Sequence, residues 1–255
     1  MRTLIAAILL SVGVTAAGAD GYVRIPGGDF TTVLRYEDVR GSTAVAPFAM
    51  MKRPVTNADF LRFVEAHPEW RRDRVATIFA DAGYLAHWAG PTRLSGYEQA
   101  AQPVTRVSWH AASAYCAANG ARLARWLEWE YVAAADATHR DARRDPAWRD
   151  TILAWYARPS TNALPRAGAQ APNMYGVQDM HGVVWEWTDD YSALLVSADN
   201  RAQGDAERER YCGAGALSVD DREQYAVLMR VAMLSSLEGS DTTMNLGFRC
   251  VREVK

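Results

Sequence analysis

The chain has 255 residues, of which 49% are hydrophobic, 10% aromatic and 23% charged, and its formal net charge is -2. This is the composition of a folded globular protein; it excludes a disordered, collagen-like or coiled-coil chain. With 28 Lys+Arg against 30 Asp+Glu, the chain lacks the basic excess that nucleic-acid binding needs, and basic runs such as Arg71-Arg72-Asp73-Arg74 read as a solvated helix face.

Residues 1–19 read as a secretory signal. Arg2 gives the positive start, Leu4 to Val14 the short apolar core, and Ala17-Gly18-Ala19 the small-residue cleavage pattern, which puts the mature start near Asp20. The apolar run is well short of the roughly 20 residues a membrane span needs, and charges interrupt every later one. The expectation is a soluble protein, periplasmic or secreted.

Tyr22 to Val33 alternates and turns at Gly27-Gly28, which predicts a strand, a turn and a second strand. Ala44 to Met51 predicts another strand. Thr56, with Asp59 three residues on, announces a helix whose Phe60, Phe63 and Val64 share a face and which His67-Pro68 ends. Ser108 starts a second helix, with Ala112, Tyr115 and Cys116 on one face and Asn119-Gly120 as its stop. A third helix is expected over about Arg125 to Ala135. Residues 136–175 show little periodicity and read as loop with a short helical piece, and 192–212 read as a polar surface excursion. Helices are thus expected in the first half, and no linker or repeat divides the chain. The fold class this implies is α+β, a single domain with much irregular structure. Nine tryptophans would hold its loops together.

The three cysteines, Cys116, Cys212 and Cys250, would lie in a compartment that permits disulfides. An odd number leaves at least one thiol unpaired or paired between chains. No CxxC or HExxH occurs, and His67, His87, His110, His139 and His181 are scattered rather than grouped at metal-ligand spacing.

Three segments carry a family resemblance: Pro103 to Cys116, continued by Arg122-Leu123 and Glu128-Trp129-Glu130-Tyr131; Tyr175 to Trp187; and Asn245-Leu-Gly-Phe-Arg-Cys250. With Ile25 to Phe30 and Pro54 to Asn57, their order and spacing resemble the formylglycine-generating enzyme (sulfatase-modifying factor) family over nearly all of residues 22–252. The resemblance implies a C-type-lectin-like single domain. It also implies a role in maturing a protein or peptide-like product, by oxidation where the member is active. The family includes copper enzymes acting on a sulfatase cysteine, iron-dependent oxidases, and exported members tied to siderophore maturation or nitrite reductase clusters. Membership therefore fixes fold better than chemistry.

Site residues follow from the same resemblance. Counted back from Asn245 without gaps, the two copper-binding cysteine positions fall on Asp221 and Ala226, which offer no sulfur for a cuprous ion. Trp185, Ser218 and Tyr225 stand where the family places its substrate groove. Asp179, Gly182, Val184 and Glu186 stand where it binds calcium, and two carboxylates around a glycine turn suit an ion that wants oxygen ligands. Cys116 and Cys250 match a disulfide of some members. That leaves Cys212 as the odd thiol: inert, reactive, or joining two chains. Neither copper nor iron has a complete ligand set in the visible motifs. The expected partner is a protein or peptide-like substrate, or, for a non-catalytic accessory module, a periplasmic metalloenzyme of the nitrite reductase type.

Overall fold

The computed structural model describes residues 21–34, 42–157, 164–194 and 225–254. The fold is α+β, with short strands set among helices and long irregular connections. Four strands form an antiparallel sheet in the order β1 (Tyr22–Ile25), β4 (Phe48–Met51), β8 (Cys250–Glu253), β5 (Arg122–Leu123). β2 (Gly28–Phe30) and β3 (Thr43–Val45) make a separate antiparallel ribbon, while β6 (Trp185–Glu186) and β7 (Leu246–Gly247) pair in parallel. The described helices are α1 (Asn57–Ala66), α2 (Tyr97–Ala101), α3 (Trp109–Ala118), α4 (Trp126–Ala133), α5 (Pro146–Tyr156) and α6 (Tyr225–Ser235).

Local chemistry explains the helix starts. The Thr56 hydroxyl accepts the Asp59 amide at 3.1 Å, and the Asp59 carboxylate accepts the Thr56 amide at 3.1 Å. Two of the free amides at this helix end are satisfied reciprocally, with Asp in the place where Glu is commoner. Ser108 caps α3 in the same sense, accepting the Ala111 amide at 3.1 Å. α5 starts at Pro146, where a missing N–H costs nothing, with Asp145 accepting the Ala147 amide.

The expected strand, turn and second strand are present as β1 and β2, which do not pair with one another: β1 lies along β4 and β2 along β3. The structure departs from the sequence reading in two places. The stretch from Ala44 to Met51 is two strands, not one. Pro47 lacks an amide for a ladder, and Gly27 (φ +71) is pressed so close to Val45–Pro47 that a Cβ would stand 2.2 Å from the Val45 carbonyl oxygen. Helices are not confined to the first half: α5 is the helical piece expected within 136–175, and α6 lies near the end of the chain.

The core gathers α1 and α3 against β8. Phe60, Tyr115 and Phe248 meet with ring centres 5.3–6.0 Å apart, Phe63 joins at 5.3 Å from Phe60, and Trp88 packs edge-on. Cys116 of α3 and Cys250 of β8 are fully buried and joined by a disulfide, 134 positions apart in sequence. Closing so long a loop constrains the unfolded chain by about 4–5 kcal/mol in the chain-entropy view. Replacing both cysteines by alanine is expected to lower unfolding stability by about that amount; equal urea midpoints for the two proteins would refute it.

Candidate functional site

The loop from Ala167 to Trp187 carries most of the expected site residues, and its backbone explains their positions. Asp179 adopts a left-handed conformation (φ +60), which its short polar side chain tolerates better than most. Its buried carboxylate accepts the Gly168 amide, and at 3.0 Å the Gln170 amide. Gly182 also has positive φ (+86), a conformation that favours glycine, and a Cβ there would stand 2.5 Å from the side-chain Nε2 of Gln170. Val184 is buried, and Trp185-Glu186 form β6 against β7.

Glu186 is fully engaged. Its Oε1 accepts from Arg249 at 2.7 Å and 3.0 Å; its Oε2 accepts from Arg249 Nε and Trp129 Nε1, both at 2.9 Å. The Arg249 guanidinium also donates to the carbonyls of Gln178 (2.9 Å), Asp179 (3.3 Å) and Met51 (3.3 Å). Both side chains are 1% exposed. The guanidinium is therefore a buried cation ringed by oxygens of the very loop expected to bind calcium. As arranged, these residues do not fit calcium held at Glu186: both of its oxygens carry N–H donors, three of them from a cation. Among the described residues no three His, Cys, Asp or Glu side chains gather as a metal site.

Beside this ion pair lies an aromatic site. Arg230 of α6 stacks on Trp129 with its guanidinium carbon 3.6 Å from the ring centre, lies 5.8 Å from that of Trp185, and donates to the Glu186 carbonyl at 3.1 Å. The rings of Trp155 and Trp185 are 5.9 Å apart. His181 sits edge-on between Trp129 and Trp148, at 5.7 and 5.5 Å. Its Nε2 meets the Ala133 carbonyl at 2.8 Å, which assigns the proton to Nε2 and leaves Nδ1 as an acceptor with no partner among the described residues. Burial holds this imidazole well below its usual range, at about 4, with the Arg230 and Arg249 charges adding to the effect against the Ala133 hydrogen bond and Glu186.

Of the groove residues, Trp185 is half-buried in this site. Tyr225 begins α6, with Ala226 next. Ser218, Asp221 and Cys212 lie outside the described residues. The sequence reading missed Arg230, the placement of His181, and the role of Arg249. Arg249 stood inside a quoted motif, but a buried cation is visible only once its distant carbonyl partners are known.

A single-domain α+β protein of this element order, with Cys116 and Cys250 joined by a buried disulfide, now has relatives to be set beside it. The chain belongs to the sulfatase-modifying factor enzyme 1-like domain family, which matches residues 12–254. It is 30% identical to a formylglycine-generating enzyme of Streptomyces coelicolor, covering 91% of this chain and 89% of that protein. It is 27% identical to inactive C-alpha-formylglycine-generating enzyme 2 of Bos taurus, over 89% of this chain and 86% of that one. The crystal structure of CarF aligns with a TM-score of 0.50 at 18% identity, covering 92% and 98% of the two chains, a likeness of fold.

Two outcomes follow from this geometry. Arg249→Met leaves Glu186 buried without its counter-ion and is expected to cost about 3–5 kcal/mol in urea unfolding, with Glu186→Leu added in the same chain recovering most of it; a loss below about 1 kcal/mol for the single variant would contradict the cage. His181 binds a proton in the unfolded chain near pH 6.5 but in the folded one only near 4. The unfolded state therefore holds more protons between those values, and stability falls as pH drops from 6.5 towards 4. Burial and the charges of Arg106 and Arg72 lower His87 in the same direction, also to about 4. Thermal melts across that window should show a shallower slope for His181→Gln; an unchanged slope would exclude His181 as a contributor.

Proposed function

We propose that the chain is an exported member of its family that acts in maturing a protein or peptide-like product, without the copper-thiolate chemistry of the formylglycine-generating enzymes. One observation carries the reading: how the cysteines are used. A cuprous ion held between two thiolates needs two free sulfurs. The chain has three cysteines, and two are tied to each other in the buried core. Cys212 alone remains. The positions expected to hold the copper sulfurs are Asp221 and Ala226, and Ala226 is the second residue of the helix that brings Arg230 onto Trp129. The aromatic site supports recognition of an extended peptide-like group, with Trp185, Ser218 and Tyr225 as the groove. Calcium at Asp179, Gly182, Val184 and Glu186 would require Arg249 to leave Glu186, and this reading does without it. An iron centre has no histidine set to build on among the described residues.

A second reading is favoured by the likeness to proteins whose very name is inactive, over most of both chains. Here the same site is a docking surface, and the chain is an accessory module for a periplasmic partner such as a metalloenzyme of the nitrite reductase type.

Anaerobic loading with cuprous ion, desalting and metal analysis test the main reading, together with mass spectrometry of a cysteine-containing sulfatase peptide incubated with the loaded protein in air. Copper well below one ion per chain and an unaltered peptide are expected. Stoichiometric retention of copper with appearance of the aldehyde would overturn it. An unaltered peptide together with capture of a cofactor-bearing enzyme from periplasmic extract would favour the accessory reading.

A further inference from the structure

A cavity of about 330 Å³ lies on the face formed by β1, the end of β4 and α3, and shares no residue with the aromatic site around Trp185. Its size is within the range of small-ligand pockets. Tyr115 forms part of the wall. The residue is 7% exposed, and it lines the cavity. Burial, followed by the Asp59 charge and Tyr22, pushes this phenol up to about 12 against the pull of Arg62 and Arg53, so the group is a donor at neutral pH.

Cations surround the opening. Lys52 has no acidic partner among the described residues, and Arg53 reaches the nearest one, Asp59, only at 4.0 Å. Asp59 is already occupied: Oδ1 accepts from Arg62 at 2.6 Å, and Oδ2 from the Thr56 amide and hydroxyl at 3.1 and 2.6 Å. Arg252 is held over the Tyr22 ring at 4.1 Å and donates to the Asn119 carbonyl. Lys52, Arg53 and Arg252 line the cavity against a single carboxylate, Asp59, so the lining is net positive and favours an anion. What sets an organic anion above inorganic phosphate is the rest of the wall. The remaining wall is apolar or aromatic: Tyr22, Met51 and Pro54.

We propose that this cavity is a binding site for a small organic carboxylate, its charged end paired with Lys52 and Arg53 and hydrogen-bonded by the Tyr115 hydroxyl, its apolar body against Tyr22, Met51 and Pro54. Both cations sit on one rigid segment. The Lys52 amide donates to the Gly21 carbonyl at 2.9 Å, and the Lys52 carbonyl accepts the Gln178 amide at 2.7 Å. The backbone that carries the two cations is thus ordered before any ligand arrives, which lowers part of the ordering cost of binding; the Arg53 side chain itself is 48% exposed. The inference stands apart from the maturation reading and from the fate of copper.

The test is calorimetry on the full chain with benzoate, its neutral counterpart benzamide, and inorganic phosphate, with amide chemical shifts to locate the site. Benzoate is expected to saturate, with benzamide about tenfold weaker or worse, since a charge-assisted contact is lost. Phosphate should bind more weakly than benzoate, and the shifts should centre on Lys52, Arg53 and Gln178. Lys52→Met should weaken benzoate about tenfold with an unchanged melting temperature, and Tyr115→Phe should weaken it several-fold. The proposal is overturned by absence of saturation, by equal binding of benzamide, by preference for phosphate, by shifts centred on Trp185, or by an unaffected Lys52→Met.

Discussion

A buried guanidinium that satisfies a carboxylate and at least three backbone carbonyls holds this molecule together. Arg249 stands immediately before β8, the strand that lies between β4 and β5. From there it reaches Glu186 in β6, the carbonyls of Gln178 and Asp179 in the preceding loop, and that of Met51 in β4. The carbonyls of Gln178 and Asp179 lie outside the strands and receive a donor from this guanidinium. One side chain with five N–H donors in a planar fork meets them together, which a lysine ammonium could not do with the same geometry. The isolated pair is weak as a source of stability, since desolvation offsets much of its attraction. Its importance is specificity: an alternative placement of the loop would leave a charge and several carbonyls unpaired.

The disulfide acts on the same strand from the other side. Arg249 and Cys250 are adjacent, so α3 is clamped to β8 by sulfur while the 178–186 loop is clamped to it by the guanidinium. Phe248, one residue earlier, anchors the aromatic core through Phe60 and Tyr115. Three consecutive residues thus tie the apolar core, a charged cage and a covalent link into one short segment. The backbone conformation of Asp179 is sustained by the hydrogen bonds to its carboxylate, and the turn at Gly182 by the absence of a side chain where Gln170 packs.

What the sequence could disclose depended on range. Thr56 with Asp59, and Ser108 before α3, are local devices, because their partners lie three residues away; both helices were placed from them. The disulfide pair and the α+β class were legible through the ordered motifs. Strand pairing was not. Gly27-Gly28 looks like a hairpin turn, yet β1 and β2 separate, because register is decided by contacts with β4 and β3 that no window contains. Ala44 to Met51 has a continuous apolar pattern, and only Pro47 hinted at the break. In the site, the carboxylates of Asp179 and Glu186 were legible as a pair around a glycine turn, the pattern of a cation loop. Their actual partners are backbone amides nine and eleven residues away and an arginine 63 residues on. An organic cation and a metal ion make similar demands on the residues around them, so the pattern alone does not distinguish the two.

This explains how a fold can be kept while its chemistry is free to change. The cage, the disulfide and the aromatic core all converge on residues 248–250, and none of them uses a residue at the positions where copper sulfurs are expected. On the proposed reading, those positions hold Asp221 and Ala226 instead of two soft ligands. The cysteines that remain bonded serve the frame instead, and a thiol committed to a buried disulfide is withdrawn from metal binding as long as the bond lasts. Arg230 illustrates the converse. It projects from the helix that begins at Tyr225, close to the exchanged positions in sequence, yet its guanidinium stacks on Trp129 and donates to Glu186, the residue that pairs with Arg249. The orientation of that helix is therefore set partly by the frame.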